Sequence, residues 1–178
     1  LKVLMDCSHL RLQEYSMFLK QIAQPGNEFP EMKRKKYHSV VYSLLWLART
    51  TIPELSYYVS ELIKYTANPG TKHWDGMIRL LQYVKSTINY GIEFKKRKVD
   101  KGDTNSRGEF NITTYVDASY ANGAGAKSKT GFIVFVNGAP IIWKSITQKV
   151  VAQSTAEAEY IVACDAAKDV LYLRNLIN

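Results

Sequence analysis

The chain has 178 residues, 46% of them hydrophobic and 12% aromatic, a formal net charge of +8 and two cysteines. That length suits one domain or two small ones, and the apolar content excludes wholesale disorder. No apolar run reaches the roughly 18 residues that a membrane span requires. Cys7 and Cys164 form neither a disulfide framework nor a metal-ligand spacing, so a reducing compartment is the expectation.

The charge is unevenly placed. Residues 1–108 carry 18 Lys/Arg against 10 Asp/Glu, whereas residues 109–178 carry 6 of each. A basic first part points to contact with a polyanion, although basic surfaces also serve plain solubility.

The start, LKVLMDCSHL, has no initiator Met and no apolar signal-peptide core, and reads as a piece of a longer chain. Residues 1–36 are weakly patterned, and QPGNEFPEMKRKK (Gln24 to Lys36) is expected to be a loop ending in a basic run. From Tyr37, YHSVVYSLLWLART predicts a buried helix. In TIPELSYYVSELIKYTANPG, Thr51 is a candidate cap and Pro53 suits a first turn; Leu55, Val59, Leu62 and Ile63 then share a face. A third helix, TKHWDGMIRLLQYVKSTINYG, repeats Trp74, Ile78, Leu81 and Val84, with Gly91 past its end.

KKRKVDKGDTNSRGE (Lys95 to Glu109) is polar, charged and Gly-containing, and predicts a linker. Beyond it, FNITTYVD, GFIVFV and IIWKS read as three successive antiparallel strands, with NGAP as a hairpin turn. STAEAEYIVACDAAKDVLYLRNLIN closes the chain as a long helix. The expected organisation is a helical segment over 1–95, a basic linker over 96–109 and a strand–helix domain over 110–178.

Two carboxylates stand out. STAE matches a capping box, with Ser154 as cap and Glu157 reaching back to its amide. Glu159 lies two residues on, roughly 200° round the helix, and so faces elsewhere. It sits among Ala158, Tyr160, Ile161 and Val162, unusual company for an idle surface acid. Asp117 ends an apolar run, where a carboxylate is either a turn-former or part of a site.

TYVDASYANGAGAKSKTGFIVFVNGAPIIWKS followed by AQSTAEAEYIVACDAAKDVLYLRNL closely resembles the ribonuclease H region of copia-type LTR retrotransposon Pol polyproteins. The stretch YHSVVYSLLWLARTTIPELSYYVSELIKYTANPGTKHWDGMIRLLQYVKSTINYGIEF resembles the reverse transcriptase thumb or connection segment of the same polyproteins. The resemblance covers nearly the whole chain and is thinner before Tyr37. It implies an α/β (α+β) fold: a helical connection segment, then a truncated ribonuclease H-like fold of three antiparallel strands and a long helix. It also implies a site of four carboxylates holding two Mg²⁺ ions, which act on the RNA strand of an RNA–DNA hybrid.

By that resemblance Asp117 in YVDAS and Glu159 in EAEYIVA are the first two metal ligands and catalytic acids. The third and fourth, and the polymerase's own aspartate pair, have no counterpart here. Asp165 lies about 240° round the helix from Glu159, and Asp169 about 80° round and some 15 Å along, so neither can join one metal with Asp117 and Glu159. The expectation is a Pol polyprotein fragment with little or no nuclease activity in this isolated chain.

Blander readings stand beside these. Asp117 would serve as a strand-end turn residue, and Glu157 is the competitor for the ligand position. KKRKV (Lys95 to Val99) looks like a nuclear-import signal but more readily suits a solvated loop. Lys72, Arg79 and Lys85 could track a phosphate backbone, while Trp74 suits the core. His9, His38 and His73 form no cluster. The family usually has a small residue where Tyr42 stands.

Expected partners are an RNA–DNA hybrid or template-primer and the remainder of the polyprotein, with no membrane. The expected setting is a cytoplasmic virus-like particle, with a nuclear route if KKRKV acts as a signal. The alternatives are a noncatalytic nucleic-acid-binding remnant and a decayed transposon reading frame.

Overall fold

Helix α1 (Glu31–Thr50) begins ahead of Tyr37, inside the stretch that its composition marks as loop. The local charges explain the difference. Glu31 sits in the first turn, where the helix dipole favours an acid, and lies 3.9 Å from Arg34 and 3.8 Å from Lys35. The basic run is therefore helix surface. The computed structural model describes residues 31–94, 110–121 and 124–177, and the chain divides into two compact units, Leu1–Tyr90 and Gly91–Asn178. The expected linker, 96–109, lies outside the described residues.

In the first unit, Tyr37, Val41, Leu44 and Ala48 recur at three- and four-residue steps and form the buried face of α1. The next helix is broken into pieces. A 3₁₀ turn (Pro53–Leu55) leads into α2 (Ser56–Leu62), and a second 3₁₀ turn (Ile63–Tyr65) follows. Thr51 does not cap this segment; its hydroxyl donates back to the Leu47 carbonyl at 3.4 Å. Leu55, Val59 and Leu62 are fully buried, and Ile63 packs against them, as the periodicity predicts.

Helix α3 (Thr71–Ser86) starts after Gly70. His73, three residues on, accepts the Gly70 N–H on Nδ1 at 2.8 Å, the part that Glu or Gln plays in a capping box. Its ring stacks on Tyr65 with centroids 4.0 Å apart, and burial lowers its pKa. The buried face of α3 comprises His73, Gly76, Met77 and Leu80, with Trp74, Ile78 and Val84 packed along the core. Leu81 lies off that face and is 38% exposed. The stripe is turned from the predicted one because a His and a Gly, invisible to an apolar pattern, occupy its centre. The Tyr37 hydroxyl donates to the Leu62 carbonyl at 2.9 Å inside this core, and burial pushes its pKa far up.

The second unit is an antiparallel sheet in the order β1 (Ile112–Ser119), β2 (Lys129–Val136), β3 (Ala139–Thr147), followed by α4 (Thr155–Ile177). Asn137 and Gly138, both at positive φ (50° and 82°), make the tight turn between β2 and β3. That pair of left-handed residues matches strand twist, and Asn-Gly adopts it readily. One sheet face is covered by α4: Phe132 and Val134 pack with Val162, Ala166 and Leu173. Lys144 of β3 pairs with Asp169 of α4 at 2.6 Å and lies over the Phe132 ring. The architecture is α+β, a helical segment followed by a ribonuclease H-like sheet and helix.

Candidate metal and nucleic-acid sites

β1 carries Asp117 at an exposed position near its end, paired across the ladder with Gly131. Gly131 brings no side chain beside that carboxylate, and Ser145 follows it on β3. Glu159 comes from the first turns of α4. Its Oε1 accepts the backbone N–H of Ala118 at 3.3 Å, so the acid lies against the residue next to Asp117. Glu159 therefore lies at the same end of the sheet as Asp117.

Glu157 goes elsewhere. Ser154 Oγ accepts the Glu157 N–H at 3.1 Å, as a cap should, while Glu157 Oε2 accepts the N–H of Gln153 at 2.6 Å. The box thus closes one residue earlier than on Ser154's own amide. The helical repeat accounts for this division of labour: residues two apart cannot face the same way.

The other acids of α4 are engaged. Asp165 pairs with Lys168 at 3.1 Å and Asp169 with Lys144. Among the described residues no group of three or more His, Cys, Asp or Glu could hold a metal ion.

Several positioning groups escaped the sequence. Gln148 is buried, and its Nε2 donates to the Ala158 carbonyl at 3.1 Å and to Thr130 Oγ1 at 3.3 Å. It ties the residue before Glu159 to the strand beside β1. The Tyr120 hydroxyl donates to the Gln153 carbonyl at 3.2 Å, joining the end of β1 to the helix start. Lys129, across from Ser119, is buried enough that its pKa falls to about 8. Only the polarity of these residues beside strand and helix ends hints at such roles.

The candidate phosphate contacts divide. Lys72, Arg79 and Lys85 are all exposed on α3. Seven residues separate Lys72 from Arg79, which is nearly two full turns, so they share a face; Lys85 lies roughly 120° from Arg79. Trp74 is half-buried against the core. The Lys33 ammonium sits 5.9 Å from its ring centroid, bringing α1's basic run to the start of α3. Tyr42 is exposed and packs on His38. No described helix is long and apolar enough to cross a membrane. KKRKV and His9 lie outside the described residues.

A three-stranded antiparallel sheet covered by one long helix is a ribonuclease H-like arrangement. No protein-family profile and no solved structure matches the chain. Among curated proteins it is 31% identical over 170 residues to the retrovirus-related Pol polyprotein from transposon TNT 1-94 of Nicotiana tabacum, covering 95% of this chain and 12% of that one. The Pol polyprotein from transposon RE2 of Arabidopsis thaliana is 34% identical over 153 residues, 85% of this chain and 10% of that protein. Secreted RxLR effector protein 161 of Plasmopara viticola is 30% identical over 143 residues, 80% of this chain and 94% of its own length. The chain belongs to the copia-type retrotransposon Pol family, and it spans about a tenth of the length of those Pol polyproteins.

Proposed function

We propose that this segment belongs to the reverse transcriptase–ribonuclease H region of a Pol polyprotein. In that reading the helical unit is connection-like, and the sheet unit is the first part of a nuclease that hydrolyses the RNA strand of RNA–DNA hybrids. The observation that carries it is the placement of Glu159 on the Ala118 amide beside Asp117, with Glu157 turned away to Gln153.

Asp117 and Glu159 offer hard oxygen donors, which fit Mg²⁺. Bound divalent metal would supply activation of water and stabilisation of the leaving oxygen. The chain's own work is positioning. The Ala118 amide orients one Glu159 oxygen, while Gln148 and Tyr120 fix the helix start against the strands. These 178 residues hold two of the four acids such a site uses, and two carboxylates alone hold a pair of ions weakly and without fixed geometry.

A labelled RNA–DNA hybrid with Mg²⁺ tests this. The 178-residue chain should cleave no faster than its Asp117→Asn variant. In a polyprotein carrying this segment, Asp117→Asn or Glu159→Gln should lower cleavage by at least about 100-fold, a loss of some 2.7 kcal/mol of transition-state stabilisation. Undiminished cleavage there would remove both residues from the site. Cleavage by the short chain that Asp117→Asn abolishes would show that half the acids suffice.

A second function rests on the basic helical unit: binding nucleic acid without cleaving it. Lys72 and Arg79 on one exposed face favour it. Hybrid binding should then persist in Asp117→Asn and weaken steeply with salt. Lys72→Ala with Arg79→Ala should lower the log–log salt slope by about 2, one per phosphate contact. A slope unchanged by that pair would place the contact elsewhere.

A further inference from the structure

Gln148 is 4% exposed, and among the described residues its side-chain oxygen accepts no hydrogen bond. An unpaired buried acceptor is destabilising, and an apolar side chain of similar length would fill the place without that loss. The side-chain nitrogen is therefore what sets glutamine apart here. Nε2 carries two hydrogens and uses both, on Thr130 Oγ1 at 3.3 Å and on the Ala158 carbonyl at 3.1 Å. A turned-over amide would set oxygen against the Ala158 carbonyl, which fixes the orientation. The backbone N–H of Gln148 donates to the Ser128 carbonyl at 2.8 Å, fastening the residue just ahead of β2.

These contacts close a ring. Thr130 is the ladder partner of Ala118, Ala118 donates its N–H to Glu159, and Ala158 precedes Glu159 in the chain. Gln148 thus bridges the strand and helix residues on either side of the Glu159 contact. It bonds a backbone carbonyl of α4 rather than the carboxylate, so it bears on the helix's rotation and not on the acid's charge. A carboxylate roughly 6 Å from a helix axis moves about 1 Å when the helix turns by about 10°. A misplacement of about 1 Å can slow a reaction on the order of 100-fold.

We propose that Gln148 is a positioning residue for the candidate metal site: it sets the rotation at which α4 presents Glu159 at the Asp117 end of the sheet. The inference rests on the nuclease reading given above, and assigns a task within it to a side chain that carries no charge.

The test pairs a structural readout on the 178-residue chain with cleavage by a polyprotein carrying it. Gln148→Met keeps the length of the side chain and removes both donors. In the chain, the amide signals of Ala118 and Glu159 should shift together, and the Ala118 amide should exchange at least about tenfold faster. The urea midpoint should stay nearly unchanged, because the lost bonds and the relieved acceptor offset one another. In the polyprotein, hybrid cleavage should fall at least about tenfold and the half-saturating Mg²⁺ concentration should rise. Hybrid affinity and the pH profile should stay in place. Thr130→Val removes one acceptor and should act more weakly in the same direction; added to Gln148→Met it should change nothing further, since both act through one contact. Cleavage that survives Asp117→Asn would defeat the nuclease reading and this inference with it. Where Asp117→Asn abolishes cleavage, a Gln148→Met variant with unchanged signals, cleavage and Mg²⁺ demand would leave that reading standing and overturn the positioning role. A cleavage loss matched by a lower urea midpoint would also overturn it, because Gln148 would then serve only the fold.

Discussion

The two units build their cores differently. The helical unit surrounds nine buried side chains, Tyr37 to Leu80, with three helices and two 3₁₀ turns, and closes polar groups inside it. Among the described residues the apolar cluster of the sheet unit has five buried members, Phe132 to Leu173, between one helix and one sheet face. On its other face Tyr115 is 63% exposed, and its ring meets Phe135 edge-on at 5.9 Å. Among the described residues, one core lies between helices and the other between a helix and a sheet face. The lesson is that the unit carrying the candidate acids has the thinner support, and its geometry rests on a few specific bonds.

The largest effect should come from Leu55→Ala in the helical core, which costs about 3 kcal/mol as a cavity that rigid neighbours cannot fill. Hydrogen exchange resolved by residue should show that loss in α1–α3 with the sheet amides unchanged; a loss spread over both units would erase the distinction. Val134→Ala in the one-sided core should cost less, about 2 kcal/mol, because an open layer relaxes more readily. An equal or larger cost there would mean that the sheet core is as tightly braced as the helical one.

Ser154→Ala should cost about 1 kcal/mol and fray the start of α4. Its amide signals near Glu159 and Ala118 should shift together, and a shift confined to residues 154–157 would uncouple cap from site. The smallest effect is a pH slope. Burial lowers the pKa of folded His73, so the unfolded chain takes up its proton first. Helical-unit stability is then full above about pH 6.5 and declines as the pH falls below it. His73→Gln keeps an acceptor for the Gly70 amide and should flatten that slope, as urea midpoints across pH 5–8 would reveal.

Element types were legible wherever packing set the pattern. The β-branched runs marked all three strands, Asn137-Gly138 marked the hairpin, and Leu55, Val59 and Leu62 marked their buried face. What stayed hidden depends on polar residues taking apolar or capping places. Glu31 to Lys36 has no apolar repeat because those turns need none, only the spacing of Glu31 from Lys35. His73 stands in for a capping carboxylate, and so displaced the predicted stripe of α3. Lys129 and Thr130 extend β2 beyond its apolar run because they are buried in spite of their polarity. The candidate site was half legible: the angle between Glu157 and Glu159 assigns them different tasks, but no spacing rule points from Gln148 to the Ala158 carbonyl.

The separation of duties within Ser154–Glu159 has a consequence for how such sequences age. Because Glu157 fastens the turn that launches α4 while the proposed metal ligand is Glu159, losing the second leaves the first untouched. A lineage that lost Glu159 would thus still inherit the scaffold, available for other use.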